Sequence, residues 1–247
     1  MRELAIGFAV FQSMSAFAMT GGVTISTTTH PEAVYITAMT AQCSGTLISP
    51  HFIVTAAHCL EKVQAHPSFV RLIRVYSTHK KSMEISRYFI HPTEDLALLE
   101  LTQASEVQPA VLTSPHSEAN DCSVVGYGIP YNANGLYLEN LDGKATDQKR
   151  IGRIKLSSKK DQYLKTKPTE FWARRLFPVS GKKAAVQITM GDSGGPLFCS
   201  GQLSGVSIQS IVSYWLVGEG RFFKSQSFFL DLSIPEINEW IQEQAKL

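Results

Sequence analysis

The stretch Gly191-Asp192-Ser193-Gly194-Gly195-Pro196-Leu197 decides how the chain is read. A serine hydroxyl ionises far above neutral pH. It attacks a carbonyl only with a base in hydrogen-bond reach, and that base needs an orienting carboxylate. The glycines around Ser193 let the backbone turn its N–H groups toward a developing oxyanion, with Gly191 and Ser193 as the natural donors. Two segments upstream supply the missing partners. Ile53-Val54-Thr55-Ala56-Ala57-His58-Cys59 places a histidine after a strand, and Asp95-Leu96-Ala97-Leu98-Leu99-Glu100-Leu101 places an aspartate at the head of an apolar one. A lone histidine, aspartate or glycine-rich turn is usually structural. In the order His58, Asp95, Ser193 they carry a nucleophile, a base and an orienter.

Gly191-x-Ser193-x-Gly195 also fits the nucleophile elbow of α/β-hydrolases, which predicts the order Ser, acid, His. No histidine follows Ser193, so the elbow lacks its base. The remaining histidines (30, 51, 66, 79, 91 and 116) show no metal-ligand spacing, and neither a metal nor an organic cofactor is expected.

The rest of the chain reads as an all-β protein. Short runs such as Val34-Tyr35-Ile36-Thr37, Gly45 to Ile48, Val70 to Val75, Ser123-Val124-Val125, Leu203 to Ile211 and Phe228 to Leu232 alternate with Gly, Pro and Ser, the pattern of a barrel or sandwich. Residues 102–121 mark a connector between two halves. Pro235 opens a C-terminal helix with Ile237, Trp240, Ile241 and Ala245 on one face. The chain has 247 residues, 44% hydrophobic and 18% charged, which excludes a disordered or low-complexity architecture. Its net charge of +2 points to neither nucleic acid nor a membrane. That balance hides residues 144–183, with 13 Lys/Arg against 3 Asp/Glu. This segment is either a solvated loop region or the contact for an acidic partner. Phe171, Trp172 and Phe177 lie within it, but no nucleic-acid motif does.

Residues 1–18 fit a secretory signal. Arg2 precedes the apolar run Leu4–Phe11, and Ala16-Phe17-Ala18 fits the small-x-small cleavage pattern; a buried helix is the alternative. The run is too short for a membrane span. The expected mature chain starts at Met19 and is secreted or periplasmic, a compartment where disulfides persist.

On the motifs TAAHC, DLALL and GDSGGP the chain resembles trypsin-like (chymotrypsin-fold) serine proteases from about Met19 to the C-terminal helix. The resemblance implies two antiparallel six-stranded Greek-key barrels with a C-terminal helix and an active site in the cleft between them. The boundaries are a signal peptide at 1–18, a protease domain at 19–247, a first barrel at about 19–113, a second at about 114–232 and a helix at about 235–247. It implies catalysis by His58, Asp95 and Ser193, an oxyanion hole at Gly191 and Ser193, and disulfides Cys43–Cys59 and Cys122–Cys199. It also implies that Met19-Thr20-Gly21-Gly22 takes the place of the family's freed amino terminus, with the Met19 ammonium pairing with Asp192. The alternative is that Gly21-Gly22 is only a flexible start. The chain departs from the family at two places. Position 189 is often Cys and here is Thr, so the pocket walls lose a staple. Gln187 stands at the pocket base where tryptic enzymes have a carboxylate, so cleavage after Lys or Arg is not supported. Ile208, Gln209 and Ser210 line the entrance, with a bulge or register shift expected near Ser207. The expected activity is a secreted serine endopeptidase acting on protein or peptide substrate with a neutral or polar P1 residue, as a monomer. The alternatives are a catalytically silent binding or adhesion protein on the same fold, and an esterase-like or glutamate-selective hydrolase.

Overall fold

The computed structural model describes residues 19, 22–77, 82–114, 121–128, 148–174, 186–217 and 220–247. Residues 1–18, on which the expected signal peptide falls, Thr20-Gly21, and parts of the connector and of the basic segment lie outside them. Apolar runs that alternate or bury on both faces set the strands. The first half holds β1 (Val23–Thr24), β2 (Ala33–Ala38), β3 (Ala41–Leu47), β4 (Phe52–Thr55), β5 (Ile73–Tyr76), β6 (Ser82–Ile90) and β7 (Ala97–Leu101). The second holds β8 (Cys122–Gly126), β9 (Arg150–Ile154), β10 (Leu156–Lys160), β11 (Tyr163–Thr166), β12 (Thr169–Arg174), β13 (Pro196–Cys199), β14 (Gln202–Val217) and β15 (Gly220–Asp231), followed by α1 (Pro235–Ala245).

Strands β2-β3-β4-β7-β6-β5 form a closed antiparallel barrel, with β5 pairing back onto β2. Every residue of β4 is buried, as are four of the five in β7, so these paired neighbours are covered on both faces. The second half matches the expected six-stranded barrel and adds strands to it. Its described residues form a nine-stranded sheet in the order β1-β9-β8-β13-β14-β15-β11-β10, with β12 also paired to β15. β9 runs on into β10 across Lys155, so the ring β8-β13-β14-β15-β11-β10 returns to β8 through β9. Two features extend it. Residues 23–24, expected in the first barrel, pair with Ile151 and Arg150 of β9 instead. Strands β14 and β15 run on as a hairpin with a partner on Gly220, and that length recruits β12. A core cluster continues across both halves, joining β2, β3, β4 and β7 to Phe198, Leu203, Val206 and the buried face of α1.

Pro235 occupies the first turn of α1, where its missing N–H costs nothing. Asn238 is buried on the helix and donates to the carbonyls of Thr113 and Leu232 at 2.9 Å each. This ties the helix to the end of the connector and to the second sheet. Trp240 then meets the ring of His91 edge-on at 4.8 Å, so the helix also braces the loop that leads to Asp95.

Candidate active site

His58 lies in a short 3-10 turn, Ala57–Leu60, directly after β4. Asp95 enters from the loop before β7, the strand hydrogen-bonded to β4, so the sheet itself brings the two together. The His58 ring Nδ1 lies 2.7 Å from Asp95 Oδ2, and the His58 backbone N–H donates to Oδ1 at 2.8 Å. Burial pushes the Asp95 carboxyl up. The hydrogen bonds and charge of His58, with a further bond from the Ala57 N–H, outweigh that effect and hold it below the ordinary range. An ionised carboxylate accepts only, so Nδ1 carries the proton and Nε2 is left as the ring's acceptor.

The loop carrying Asp95 has its own support. His91 Nδ1 accepts from the N–H groups of Thr93 (3.3 Å) and Glu94 (3.0 Å). Burial pushes the His91 imidazole down, against the raising effect of Glu94, which keeps the ring a neutral acceptor. From the second sheet, Gln162 Nε2 donates to Glu94 Oε1 at 3.0 Å.

Ser193 sits in the turn Met190–Gly194, where Gly191 and Gly194 have φ of 93° and 79°. A Cβ on Gly194 would lie 2.1 Å from Thr55 Oγ1 and 2.4 Å from the Ser44 carbonyl, so this turn meets the first barrel through bare backbone. Ser44 of β3 fastens it there. The Ser44 N–H donates to the Ser193 carbonyl and its Oγ donates to the Gly191 carbonyl, both at 2.8 Å. The same Oγ accepts from the Tyr127 N–H at 3.0 Å, and the Ser44 carbonyl accepts from Thr55 Oγ1 at 2.8 Å. Ser44 is fully buried, and nothing in the sequence set it apart from other strand serines. The N–H groups of Gly191 and Ser193 have no partner among the described residues.

Asp192 points the other way, into the second half, and is fully buried. Its carboxylate accepts from the Gly128 N–H (2.9 Å), from the N–H and Oγ1 of Thr189 (3.0 and 2.9 Å) and from the Met19 N–H. Thr189, which stands where the family often has a cysteine, therefore has a role of its own. A Cβ on Gly126 or Gly128 would come within 2.2 or 2.5 Å of the carboxylate oxygens, so the cradle is built for bare backbone. Burial pushes the Asp192 carboxyl up to about 6 despite these bonds. The Met19 side chain is fully buried among Val124, Ile188, Leu197 and Phe229. Arg150 holds the following segment through the Gly22 carbonyl and Thr24 Oγ1. Lys149, also fully buried, donates to the carbonyls of Thr27 (3.1 Å), Thr29 (3.2 Å) and His30 (2.6 Å). Burial lowers its ammonium to about 8, against the opposing charge of Glu32.

A family model described as Trypsin matches residues 19–221, well over half of the chain. The chain belongs to the trypsin family. Among solved structures, this trypsin-family chain is similar to neuropsin, a serine protease expressed in the limbic system of mouse brain. The TM-score is 0.64 at 15% identity, over 91% of this chain and 98% of that one, a likeness of fold. Two Corynebacterium glutamicum proteins described as peptidases, from strains R and ATCC 13032, are each 28% identical over 192 residues. The match covers 77% of this chain and 62% of theirs, so the chain spans less than two thirds of the length of these relatives.

In this trypsin-family chain the segments read from the sequence as pocket walls share buried polar contacts. Gln187 Oε1 accepts from Ser227 Oγ at 2.9 Å, and that Oγ accepts from the Ile188 N–H at 3.1 Å. Ser210 of β14 lies opposite Ser227 of β15, and both are buried. The register of β14 against β15 skips Ile208 between Ser207 and Gln209, a bulge that leaves Ile208 nearly buried and Gln209 exposed. Disulfides join Cys43 to Cys59 and Cys122 to Cys199. The first anchors the turn that carries His58 to β3, and the second links the paired ends of β8 and β13. Cys43, His58 and Cys59 have their ligand atoms within 4.8 Å of one another, but the bonded sulfurs offer no thiolate to a metal. Among the described residues no helix is long and apolar enough to cross a membrane.

Proposed function

We propose that the chain is a secreted serine endopeptidase. The observation that carries the reading is the His58 ring held by Asp95 at 2.7 Å, beside a turn whose Gly191 and Ser193 amides have no partner among the described residues. His58 Nε2 takes the proton of Ser193 as its Oγ bonds to the scissile carbonyl carbon. The carbonyl electron pair moves to the oxygen, which the two amides receive. His58 then gives the proton to the leaving amine, and water repeats the cycle to release the acid. Asp95 keeps the proton on Nδ1 and stabilises the imidazolium.

Two finer points belong to the same reading. Cleavage before Met19 turns the N–H already at Asp192 into an ammonium. That cation offsets the buried carboxylate and orders the turn, so export itself yields active enzyme. The neutral floor of Gln187 and Ser227 suits a neutral or polar P1 side chain and offers a Lys or Arg no counter-charge. The enzyme acts as a monomer on protein or peptide, and the basic segment 144–183 is a contact for an acidic partner.

A fluorophosphonate probe tests the chemistry. Labelling of the secreted protein, abolished in Ser193→Ala, is the expected result; no labelling of correctly processed protein points to a binding protein on the same fold. A peptide-library cleavage profile reads P1 and separates an endopeptidase from an esterase-like or glutamate-selective hydrolase.

A further inference from the structure

Strand β15 is interior over almost its whole length. On one side β14 pairs with it from Gly205↔Asp231 to Val217↔Gly220. On the other, β11 covers Phe228–Leu230 and β12 covers Gly220–Ser225. Strand β14 is different. Its second side pairs with β13 only as far as Val206↔Pro196, and Ser207 exchanges backbone bonds with Gly194 and Gly195 at 2.7 and 2.9 Å. From Ile208 to Val217 no strand pairs with that side among the described residues. Ten residues at the rise of a strand make an edge of about 33 Å.

This edge starts beside Ser193, because Ser207 is bonded to the two glycines that follow it. Apart from a bulge at its start, it lacks the features by which proteins blunt an open edge. The sequence Ile-Gln-Ser-Ile-Val-Ser-Tyr-Trp-Leu-Val contains no proline, no lysine and no charge, and six of its ten residues are β-branched or aromatic. One bulge, at Ile208, interrupts it. A two-stranded ribbon alone is marginal, and β12 makes the outer part three-stranded, a support that leaves the β14 edge unpaired among the described residues.

We propose that the edge beyond Ser210, Ile211–Val217, continues the binding strand for extended polypeptide, so that about eight residues on the acyl side of the scissile bond are engaged. The inference rests on the peptidase reading and goes beyond it in naming the substrate class: unfolded or locally extended chain rather than a surface loop. Direction agrees with this. β14 runs away from Ser193, and the acyl part of a substrate runs N-terminally away from its scissile carbonyl. A peptide lying along the edge is therefore antiparallel to β14, with P1 near Ile208–Ser210 and its N-terminal residues toward Val217. Main-chain pairing supplies affinity with little demand on side-chain identity beyond P1, which suits degradation of non-native protein.

The test uses the mature enzyme and peptide p-nitroanilides carrying the P1–P3 residues chosen by the library profile. They are lengthened N-terminally with Thr-Val repeats to five and eight residues. kcat/KM should rise about tenfold from three residues to eight, since each added backbone bond contributes modestly. N-methylation of single amides between P4 and P8 should then cost about fivefold at every second residue and less than twofold at those between, the period of a paired strand. A flat length series from enzyme that labels with fluorophosphonate overturns this proposal and leaves the peptidase standing. Failure to label or to cleave any length removes both. A length gain without period-two sensitivity also overturns it, because side chains would then be the cause. A flat series together with a concentration-dependent dimer in sedimentation assigns the edge to a second copy of the chain instead.

Discussion

The two disulfides should have opposite ranks in stability and in activity. Cys43–Cys59 closes a separation of 16 residues and Cys122–Cys199 one of 77. The closed loops do not overlap, so each constrains the unfolded chain independently. Chain-entropy arithmetic gives about 3 kcal/mol for the first and about 4.5 for the second, a difference of about 1.4 kcal/mol. Lost packing nearly cancels in the comparison, because all four cysteines are buried to within a few per cent of exposure. With a urea slope near 3 kcal/mol per molar, the midpoint of Cys122→Ala/Cys199→Ala should lie about half a molar below that of Cys43→Ala/Cys59→Ala. The kinetic order should be reversed. Cys59 follows His58 within one 3-10 turn, so losing Cys43–Cys59 loosens the base, and kcat/KM at 25 °C should fall further in that variant. Equilibrium unfolding followed by tryptophan fluorescence, with kcat/KM on one anilide, gives both orders. Equal midpoints, or a lower midpoint for the short-loop variant, would refute the loop-length reasoning.

Ser44→Ala removes the hydroxyl that accepts from Tyr127 and donates to Gly191, and kcat should fall by about tenfold with little change in KM. For the Asp95 loop, His91→Asn keeps an acceptor for the Thr93 and Glu94 amides and should stay within about twofold of wild-type kcat/KM, whereas His91→Ala should lose about tenfold. Gly194→Ala puts a methyl into Thr55 Oγ1 at a positive φ and should cost more than about 4 kcal/mol, read as a collapse of the urea midpoint or loss of soluble protein. In uncut chain the Asp192 carboxyl stands at about 6 against an ordinary 3.8, so it binds more protons folded than unfolded between those values. Its contribution to stability is present below pH 3.8 and lost as pH rises through about 6. The stability gap between chain cut before Met19 and chain blocked from cutting should therefore widen from pH 4 to pH 7, measured by urea midpoints.

The His58 and Asp95 segments were legible because each joins a reactive side chain to a largely apolar strand, and adjacent strands of one barrel leave little choice of where those side chains meet. The alternation of Leu203 to Ile211 and Phe228 to Leu232 likewise located β14 and β15. Their full length was not legible. Residues 212–225 mix aromatic, basic and β-branched types, and whether such a run continues a strand depends on the partner that β12 supplies from a segment read mainly as a basic loop. Ser44 and Thr189 were hidden for another reason. A hydroxyl on a strand or before a turn is common, and its importance comes from the carbonyl or carboxylate that tertiary structure sets against it. The added strand of the second barrel was not legible either, because residues 23–24 carry no pattern that shows they pair with β9.

The anchorage of the Ser193 turn to Ser44 has a consequence for anyone reshaping this molecule. The turn takes its reference from the first barrel through two backbone carbonyls, while beyond Ser210 the strand beside it is paired, among the described residues, only with β15. Rate and recognition thus have separate mounts. A hairpin of another length or sequence, joined beyond Ser210 and before Ser225, should retune which chains are held without detuning the turn. The reverse holds for Ser44, a single hydroxyl through which changes deep in the first barrel would be felt at every substrate alike.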